Sequence, residues 1–159
     1  SNGNGSLMRI LPLAFTNCGN EEINSVSAIT HAHEISQEGC RIYVKIARSL
    51  LSGQKILNVI KSLETSEVYE RIKELDSISE TDISSSGYVV DTLEASLWCI
   101  LNTNNYKDAV IKAVNLGDDT DTVGAVTGGL AGIIYGYSAI PRDWIDILRA
   151  KDLIEDCLF

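Results

Sequence analysis

The residues best suited to chemistry are three carboxylates crowded into one short segment. Residues 117–122 read Gly-Asp-Asp-Thr-Asp-Thr, so Asp118, Asp119 and Asp121 fall within four positions. A cation would relieve their mutual repulsion, and the hydroxyl of Thr122 completes a set of oxygen donors that suits a hard ion such as Mg²⁺, Mn²⁺ or Ca²⁺. A solvated acidic cap that complements a helix dipole would use the same residues. The spacing alone leaves both interpretations open.

Other polar side chains that could meet a ligand stand at three further junctions. Residues 4–6, Asn-Gly-Ser, could present backbone amides to an anion, although such tripeptides also form plain turns. His31 and His33 would point to different sides of a helix, so each is expected to be solvated or to cap a helix rather than to share a metal. Tyr88 could stack on a base or belong to the core. The sequence contains no recognisable Ser/His/Asp or Cys/His nucleophile, and no catalytic residue is assigned.

The segments that could do chemistry are separated by patterns typical of helices. Apolar residues recur every three or four positions, which is the period of an amphipathic helix. Helices are expected at 34–51, 55–63, 67–75, 91–102, 106–116 and 120–137, with short helical turns after Pro141 and over 151–159. The serine-rich stretch 76–86 lacks periodicity and is expected to be a loop that could be mobile. Because no convincing strand alternation occurs, the sequence predicts one all-α domain over residues 1–159.

The expected helix that begins at Thr120 carries glycines spaced by four residues, which places them on one face. They are Gly124, Gly128, Gly132 and Gly136. Each interior glycine costs about 0.5–1 kcal/mol relative to alanine, so a compensating reason is needed. Close approach of another helix to this smooth face supplies that reason. A membrane-spanning helix is the weaker alternative, because the apolar run is short and lacks basic flanks.

The composition limits the classes of protein and partner. A length of 159 residues with 45% hydrophobic residues predicts one globular domain with its own core. The net charge of −9 argues against binding nucleic acid through a general basic face. The four scattered cysteines are interpreted as reduced residues of a cytoplasmic protein. The sequence starts at Ser1 and its single methionine is Met8, which indicates a fragment or a processed product.

Four segments, taken in order, resemble one known family. They are Asn-Gly-Ser-Leu-Met-Arg at 4–9, Thr-His-Ala-His at 30–33, Ser-Gly-Tyr-Val-Val-Asp-Thr-Leu at 86–93 and Asn-Leu-Gly-Asp-Asp-Thr-Asp-Thr at 115–122. Together they resemble the ADP-ribosylglycohydrolases, the dinitrogenase-reductase-activating glycohydrolase family. The resemblance implies a multi-helical fold that hydrolyses the glycosidic bond between ADP-ribose and a modified side chain. It also implies a binuclear Mg²⁺ or Mn²⁺ centre and a transition state of oxocarbenium character.

The same resemblance assigns roles to individual residues. The implied metal ligands are Asp119, Asp121 and Thr122. The residues implied to line the ADP-ribose pocket are Asn4, Gly5, Ser6, His31, Tyr88 and Gly117. The implied partner is an ADP-ribosylated protein or a small ADP-ribose conjugate, with neither nucleic acid nor membrane involved.

Two departures from the family pattern shape the functional expectation. The family motif usually reads Gly-Gly-Asp-Thr-Asp-Thr, and Asp118 replaces its second glycine, adding a negative charge where a diphosphate would approach. The family's upstream Thr-Asp-Asp-Thr segment, its Gly-Asp-Ala-type opening and its catalytic carboxylate do not occur in this sequence. We therefore expect this chain to be the downstream part of a family domain that is incomplete at its N-terminus. We expect it to be inactive alone and to have the N-terminal half of the domain as a further partner. The alternative is a non-catalytic relative that binds ADP-ribose or another nucleotide, or that serves a structural role.

Overall fold

The chain folds into helices, several of which pack around one central helix. The structure is a computed structural model that describes residues 2–157. Its α-helices are α1 (Asn20–Ala28), α2 (Glu34–Leu51), α3 (Ile56–Lys61), α4 (Val89–Leu101), α5 (Tyr106–Asn115), α6 (Thr120–Tyr135), α7 (Arg142–Ile147) and α8 (Lys151–Asp156). Residues 2–157 form no β-strand beyond a single antiparallel bridge between Gly3 and Tyr88. The expected all-α class is confirmed.

Tighter 3₁₀ turns connect several of these helices. They span Leu7–Arg9, Leu11–Phe15, Glu67–Ser77, Glu80–Asp82 and Tyr137–Ala139. The segment expected as a helix at 67–75 is therefore helical, but it is 3₁₀ rather than α. Its buried residues Tyr69, Ile72 and Leu75 are spaced by three, which is the repeat of a 3₁₀-helix. The stretch 76–86 is a loop only in part, because residues 76 and 77 end the Glu67–Ser77 segment and Glu80–Asp82 forms a further 3₁₀ turn.

Helix α4 forms the middle of the core and also fixes the elements around it. Eleven of its thirteen residues are buried, and it packs against α2, α5, α6 and the segment Glu67–Ser77. The Trp98 indole donates a 2.8 Å hydrogen bond to the Ile78 carbonyl. The Tyr43 hydroxyl, on α2, donates a 2.8 Å hydrogen bond to the Val126 carbonyl on α6. The first bond joins α4 to the loop after the Glu67–Ser77 segment, and the second joins α2 to α6.

The glycine stripe of α6 has two different explanations along its length. A Cβ at Gly124 would lie 3.0 Å from Val114, and one at Gly128 would lie 3.2 Å from the Tyr106 hydroxyl, so both glycines admit α5 at close range. Gly136 has a φ of 83° and ends the helix, which is why α6 stops at Tyr135 and not at residue 137. Close helix packing within the chain is thus confirmed for the first half of the stripe.

Two further expectations concern the environment of the chain. Among the helices of residues 2–157, none has the length and apolar character needed to cross a bilayer. All four cysteines are free thiols. Cys40 and Cys99 are buried, as expected for core residues, whereas Cys18 is half-buried and Cys157 is exposed.

Candidate functional site

The opening residues and the segment before α4 lie side by side. The Asn4 backbone N–H donates a 3.1 Å hydrogen bond to the Gly87 carbonyl, and the Val89 N–H donates a 3.0 Å bond to the Asn2 carbonyl. Together with the bridge between Gly3 and Tyr88, these bonds make a short antiparallel pairing. The first and third sequence motifs therefore share one edge, although more than 80 residues separate them along the chain.

The segment before α6 joins the same edge from the other side. The Asp119 N–H donates a 3.1 Å hydrogen bond to the Ser85 carbonyl. The Ser85 hydroxyl donates a 3.0 Å bond to the Gly117 carbonyl. Residues 85–87 are consequently held between the chain's opening and residues 117–119, directly beside the N-terminus of α6.

Two residues in left-handed conformations turn the chain from α5 into α6. Gly117 has a φ of 93° and Asp118 a φ of 52°. Glycine adopts such angles without strain, and aspartate is one of the few other residues that adopt them readily. The departure from the family motif at Asp118 therefore keeps the turn and adds an exposed carboxylate to it.

The neighbouring carboxylates have different partners. Asp119 Oδ2 accepts a 2.7 Å hydrogen bond from the Asn4 side-chain amide. That bond, with a smaller contribution from Thr122, holds the pKa of the Asp119 carboxyl below its ordinary value. Asp121 Oδ1 accepts a 2.9 Å bond from the backbone N–H of the adjacent Thr122. Asp119 is thus ionised at neutral pH, and although it is the N-cap residue of α6, its side chain makes no capping hydrogen bond, so the cap expected as an alternative is not observed there.

The predicted metal ligands match a hard cation in kind. Asp119, Asp121 and Thr122 offer only oxygen donors, and Asp119 is an ionised carboxylate, which is what Mg²⁺ and Mn²⁺ prefer. Three ligands are few for such an ion, which takes about six. Within residues 2–157, no cluster of three or more His, Cys, Asp or Glu side chains is arranged to hold a metal.

The residues predicted to line an ADP-ribose pocket fall into two neighbouring groups. Asn4, Tyr88 and Gly117 belong to the three joined segments described above. Gly5 lies against the ring of His31, so that a Cβ at Gly5 would come within 2.7 Å of His31 Cε1. Burial lowers the pKa of His31, with the nearby Arg9 acting in the same direction.

Two further polar residues singled out in the sequence, Ser6 and His33, make hydrogen bonds within the protein. Ser6 is fully buried, and its hydroxyl accepts a 3.4 Å hydrogen bond from the Cys40 thiol inside the core. His33 caps α2, its Nδ1 accepting a 3.3 Å bond from the Ile35 N–H. The capping interpretation of His33 is therefore confirmed.

Sequence reasoning did not single out the side chains that hold this site together. Thr92, on α4, accepts the Asn4 amide at 2.8 Å and donates to the Ser86 carbonyl at 3.0 Å. Asp91 accepts hydrogen bonds from the hydroxyls of Ser84 at 2.7 Å and Ser86 at 2.6 Å. Both acceptors lie in the first turn of α4, and a serine run just before an acidic first turn is the signal that could have indicated them.

A cleft of about 450 Å³ runs along α2, away from these segments, and basic residues line part of it. Two of its cations already have protein partners. Arg41 donates a 2.6 Å bond to Asn24 Oδ1, and Arg48 donates to the carbonyls of Leu13 and Cys18. We therefore place the candidate site at the joined segments, where the unusual residues of the sequence converge.

Comparison with known proteins identifies the family. The family model described as ADP-ribosylglycohydrolase matches residues 1–158. The ADP-ribosylarginine hydrolase of Pseudomonas putida is 35% identical over 91% of this chain and 41% of its own length. The corresponding protein of Serratia proteamaculans is 38% identical over 84% of this chain and 37% of its own length. The ADP-ribosyl-dinitrogen reductase glycohydrolase of Rhodospirillum rubrum is 30% identical over 94% of this chain and 51% of its own length.

A solved structure gives the same answer for the fold. The chain superposes on one described as an ADP-ribosylglycohydrolase-related protein complex with a TM-score of 0.85 and 31% sequence identity. The superposition covers 98% of this chain and 58% of that one. The chain thus spans about half, or less, of the length of the curated relatives named above. Since the family model covers nearly every residue and the fold agrees, the chain belongs to the ADP-ribosylglycohydrolase family.

Proposed function

We propose that this chain supplies the downstream part of a site that hydrolyses the glycosidic bond between ADP-ribose and a modified side chain. The observation that carries the proposal is the meeting of Asn4, Gly87 and Asp119 at the N-terminus of α6, through direct hydrogen bonds between distant segments. ADP-ribosylated arginine is the proposed substrate, because two relatives are named as hydrolases of ADP-ribosylarginine. The free thiols support a location in the reducing cytoplasm.

We propose Mg²⁺ or Mn²⁺ as the cofactor, in a binuclear centre. Asp119, Asp121 and Thr122 would hold the ion on this side of the site, since their donors are all oxygen. When bound, such ions supply Lewis-acid stabilisation of the charge that develops as the glycosidic bond breaks.

The chain's own groups would bind and orient the substrate. The positive end of α6, a helix of sixteen residues, would favour an anionic diphosphate once cations offset the negative charge of Asp118, Asp119 and Asp121 beside it. The partly exposed ring of Tyr88 offers a surface on which the adenine or ribose can stack. Glycine at position 5 lets the backbone approach the His31 ring closely, because the Cβ of any larger residue would displace the imidazole. These residues position the ADP-ribose, and none of them supplies a nucleophile.

A release assay on an ADP-ribosylated arginine peptide with Mg²⁺ or Mn²⁺ tests this function. In the full natural protein, Asp121→Ala is expected to abolish metal-dependent release. Asp152→Ala, which removes an exposed first-turn carboxylate on α8, is the matched control and is expected to leave the rate unchanged. An unchanged rate in Asp121→Ala would remove the metal assignment.

The second candidate function is ADP-ribose binding without catalysis. The small number of metal ligands within residues 2–157 favours it for this chain on its own. The two candidates separate in the same assay of the full natural protein, where release from arginine supports the first and ADP-ribose binding without release supports the second. Under either candidate, we expect the 159-residue chain alone to bind ADP-ribose without releasing it from arginine. Robust turnover by that chain would show that its own ligands suffice.

A further inference from the structure

We infer that Asn4 is a positioning residue, whose side-chain amide fixes the carboxylate of Asp119 in the orientation that a ligand or ion would meet. The inference rests on the proposed function, since it gives Asn4 a role within that site. It differs from the role implied by the family resemblance, in which Asn4 lines the ADP-ribose pocket. The argument comes from the hydrogen bonds that Asn4 makes and from its burial.

The side chain of Asn4 is committed to two protein acceptors. Its Nδ2 lies 2.8 Å from Thr92 Oγ1 and 2.7 Å from Asp119 Oδ2. A primary amide nitrogen carries two hydrogens, so these two bonds use both of its donors. Asn4 is also only 7% exposed, which leaves little of its surface for a ligand.

The chemistry of its neighbours fixes which end of the amide faces them. The single hydroxyl hydrogen of Thr92 is donated to the Ser86 carbonyl at 3.0 Å, so Thr92 can only accept from Asn4. An ionised Asp119 carboxylate is likewise an acceptor only. Both partners therefore require the NH₂ end of Asn4, and the reversed amide would face two acceptors with its oxygen.

The backbone of Asn4 is anchored as well, so the amide acts from a fixed point. Its N–H donates to the Gly87 carbonyl at 3.1 Å, and its carbonyl accepts a 3.3 Å bond from the Met8 N–H. A partner of this kind restricts rotation of the Asp119 side chain about its χ angles. Because a carboxylate has about four lone-pair sites, one such bond orients it and leaves sites for an ion or a substrate hydroxyl. Removing outer partners of metal ligands typically costs about 10–100-fold in metal affinity.

The test compares Asn4→Ala with Thr92→Val in the 159-residue chain. Asn4→Ala removes the bond to Asp119, whereas Thr92→Val removes the other acceptor of Asn4 and keeps that bond. The first readout is the χ1 rotamer of Asp119, measured by NMR couplings without metal. We expect one rotamer in the wild type and in Thr92→Val, and averaging in Asn4→Ala. The second readout is Mn²⁺ binding followed by electron paramagnetic resonance, with about 10–100-fold weaker binding in Asn4→Ala only.

Each outcome of this test is decisive for one of the two claims. A single Asp119 rotamer in folded Asn4→Ala, or unaltered Mn²⁺ affinity, would overturn the positioning role, while Mn²⁺ binding by the wild type would still support the proposed function. If the wild type binds no Mn²⁺, the metal assignment fails for this chain, and the rotamer measurement alone decides the role of Asn4. If Asn4→Ala does not fold, hydrogen exchange of the Asn4 Nδ2 protons in the wild type replaces it. Exchange as fast as that of the exposed Asn58 would then refute the inference.

Discussion

Replacing Arg71 with methionine is expected to lower the free energy of unfolding, because it removes the partner of the buried Glu94 carboxylate in the core. Arg71 lies in the Glu67–Ser77 segment and pairs at 2.7 Å with Glu94 on α4. The Glu94 side chain is only 6% exposed, whereas that of Arg71 is 42% exposed. Arg71 also donates to the Asp82 carbonyl, so it ties the loop that leads to the site to the central helix.

The expected loss in the free energy of unfolding follows from the different exposure of the Arg71 and Glu94 side chains. Breaking a fully buried ion pair by removing one partner costs about 3–5 kcal/mol. Since water reaches Arg71, part of that interaction is already screened, and we expect Arg71→Met to lower the free energy of unfolding by about 2 kcal/mol at neutral pH. Methionine keeps most of the aliphatic length of Arg71, so lost packing contributes little.

The pH dependence separates the charge effect from packing. Burial raises the pKa of Glu94 above its ordinary value, and Arg71 offsets part of that rise. A carboxyl whose folded pKa is raised favours the folded state below its unfolded pKa, and that contribution is lost as the pH rises through the folded pKa. Because Arg71→Met removes the offset, its deficit in unfolding free energy should be larger at about pH 8 than at about pH 5.

Urea denaturation followed by circular dichroism, at both pH values, measures this deficit. Adding Glu94→Gln to the Arg71→Met variant removes the buried charge and should recover much of the stability lost at the higher pH. An equal deficit at both pH values, or no recovery in the double variant, would refute the reasoning.

The other predictions concern α6 and the turn before it, each measured by urea denaturation. Gly129→Ala should destabilise by about 1–3 kcal/mol, because its Cβ would lie 2.6 Å from Leu11 Cδ2 and 2.7 Å from the Tyr43 hydroxyl oxygen. Gly132→Ala is its control and should stabilise by about 0.5–1 kcal/mol, since nothing lies within 4 Å of a Cβ there; equal effects at the two glycines would contradict the packing argument. Tyr43→Phe should cost about 1 kcal/mol for its lost 2.8 Å bond, and no loss would show that this bond adds nothing. Asp118→Ala should be about 1 kcal/mol less stable than Asp118→Gly, because of the φ of 52°; an alanine variant as stable as the glycine variant would refute strain at this turn.

The helices were largely predictable because their apolar residues follow a local period. The expected helix at 34–51 coincides with α2, and the one at 106–116 exceeds α5 by one residue. The segment 67–75 was predicted as an amphipathic helix like the others, and its 3₁₀ type was missed because periods of 3.0 and 3.6 residues differ little over so few residues. Tertiary packing of Tyr69, Ile72 and Leu75 selects the tighter turn there.

The site itself was predictable only in part. The motifs indicated that Asn4 and Asp119 matter, but a bond between residues 115 positions apart leaves no periodic signal in the sequence. Thr92 was missed for a related reason: in the sequence it is an ordinary polar residue of a helix, and only the fold places it under Asn4. The sequence therefore indicated candidate segments for a site, and the structure indicated which side chains join them.

The central claim is that the segments 2–6, 85–88 and 117–122 form one ADP-ribose site. Titrating the ¹⁵N-labelled 159-residue chain with ADP-ribose and Mg²⁺, while following backbone amide shifts, tests it most directly. We predict that the largest shifts fall on these three segments, Tyr88 and Gly117 among them. Shifts concentrated along the basic cleft of α2, near Arg41 and Lys45, would contradict the account, as would the absence of any shift at millimolar ADP-ribose.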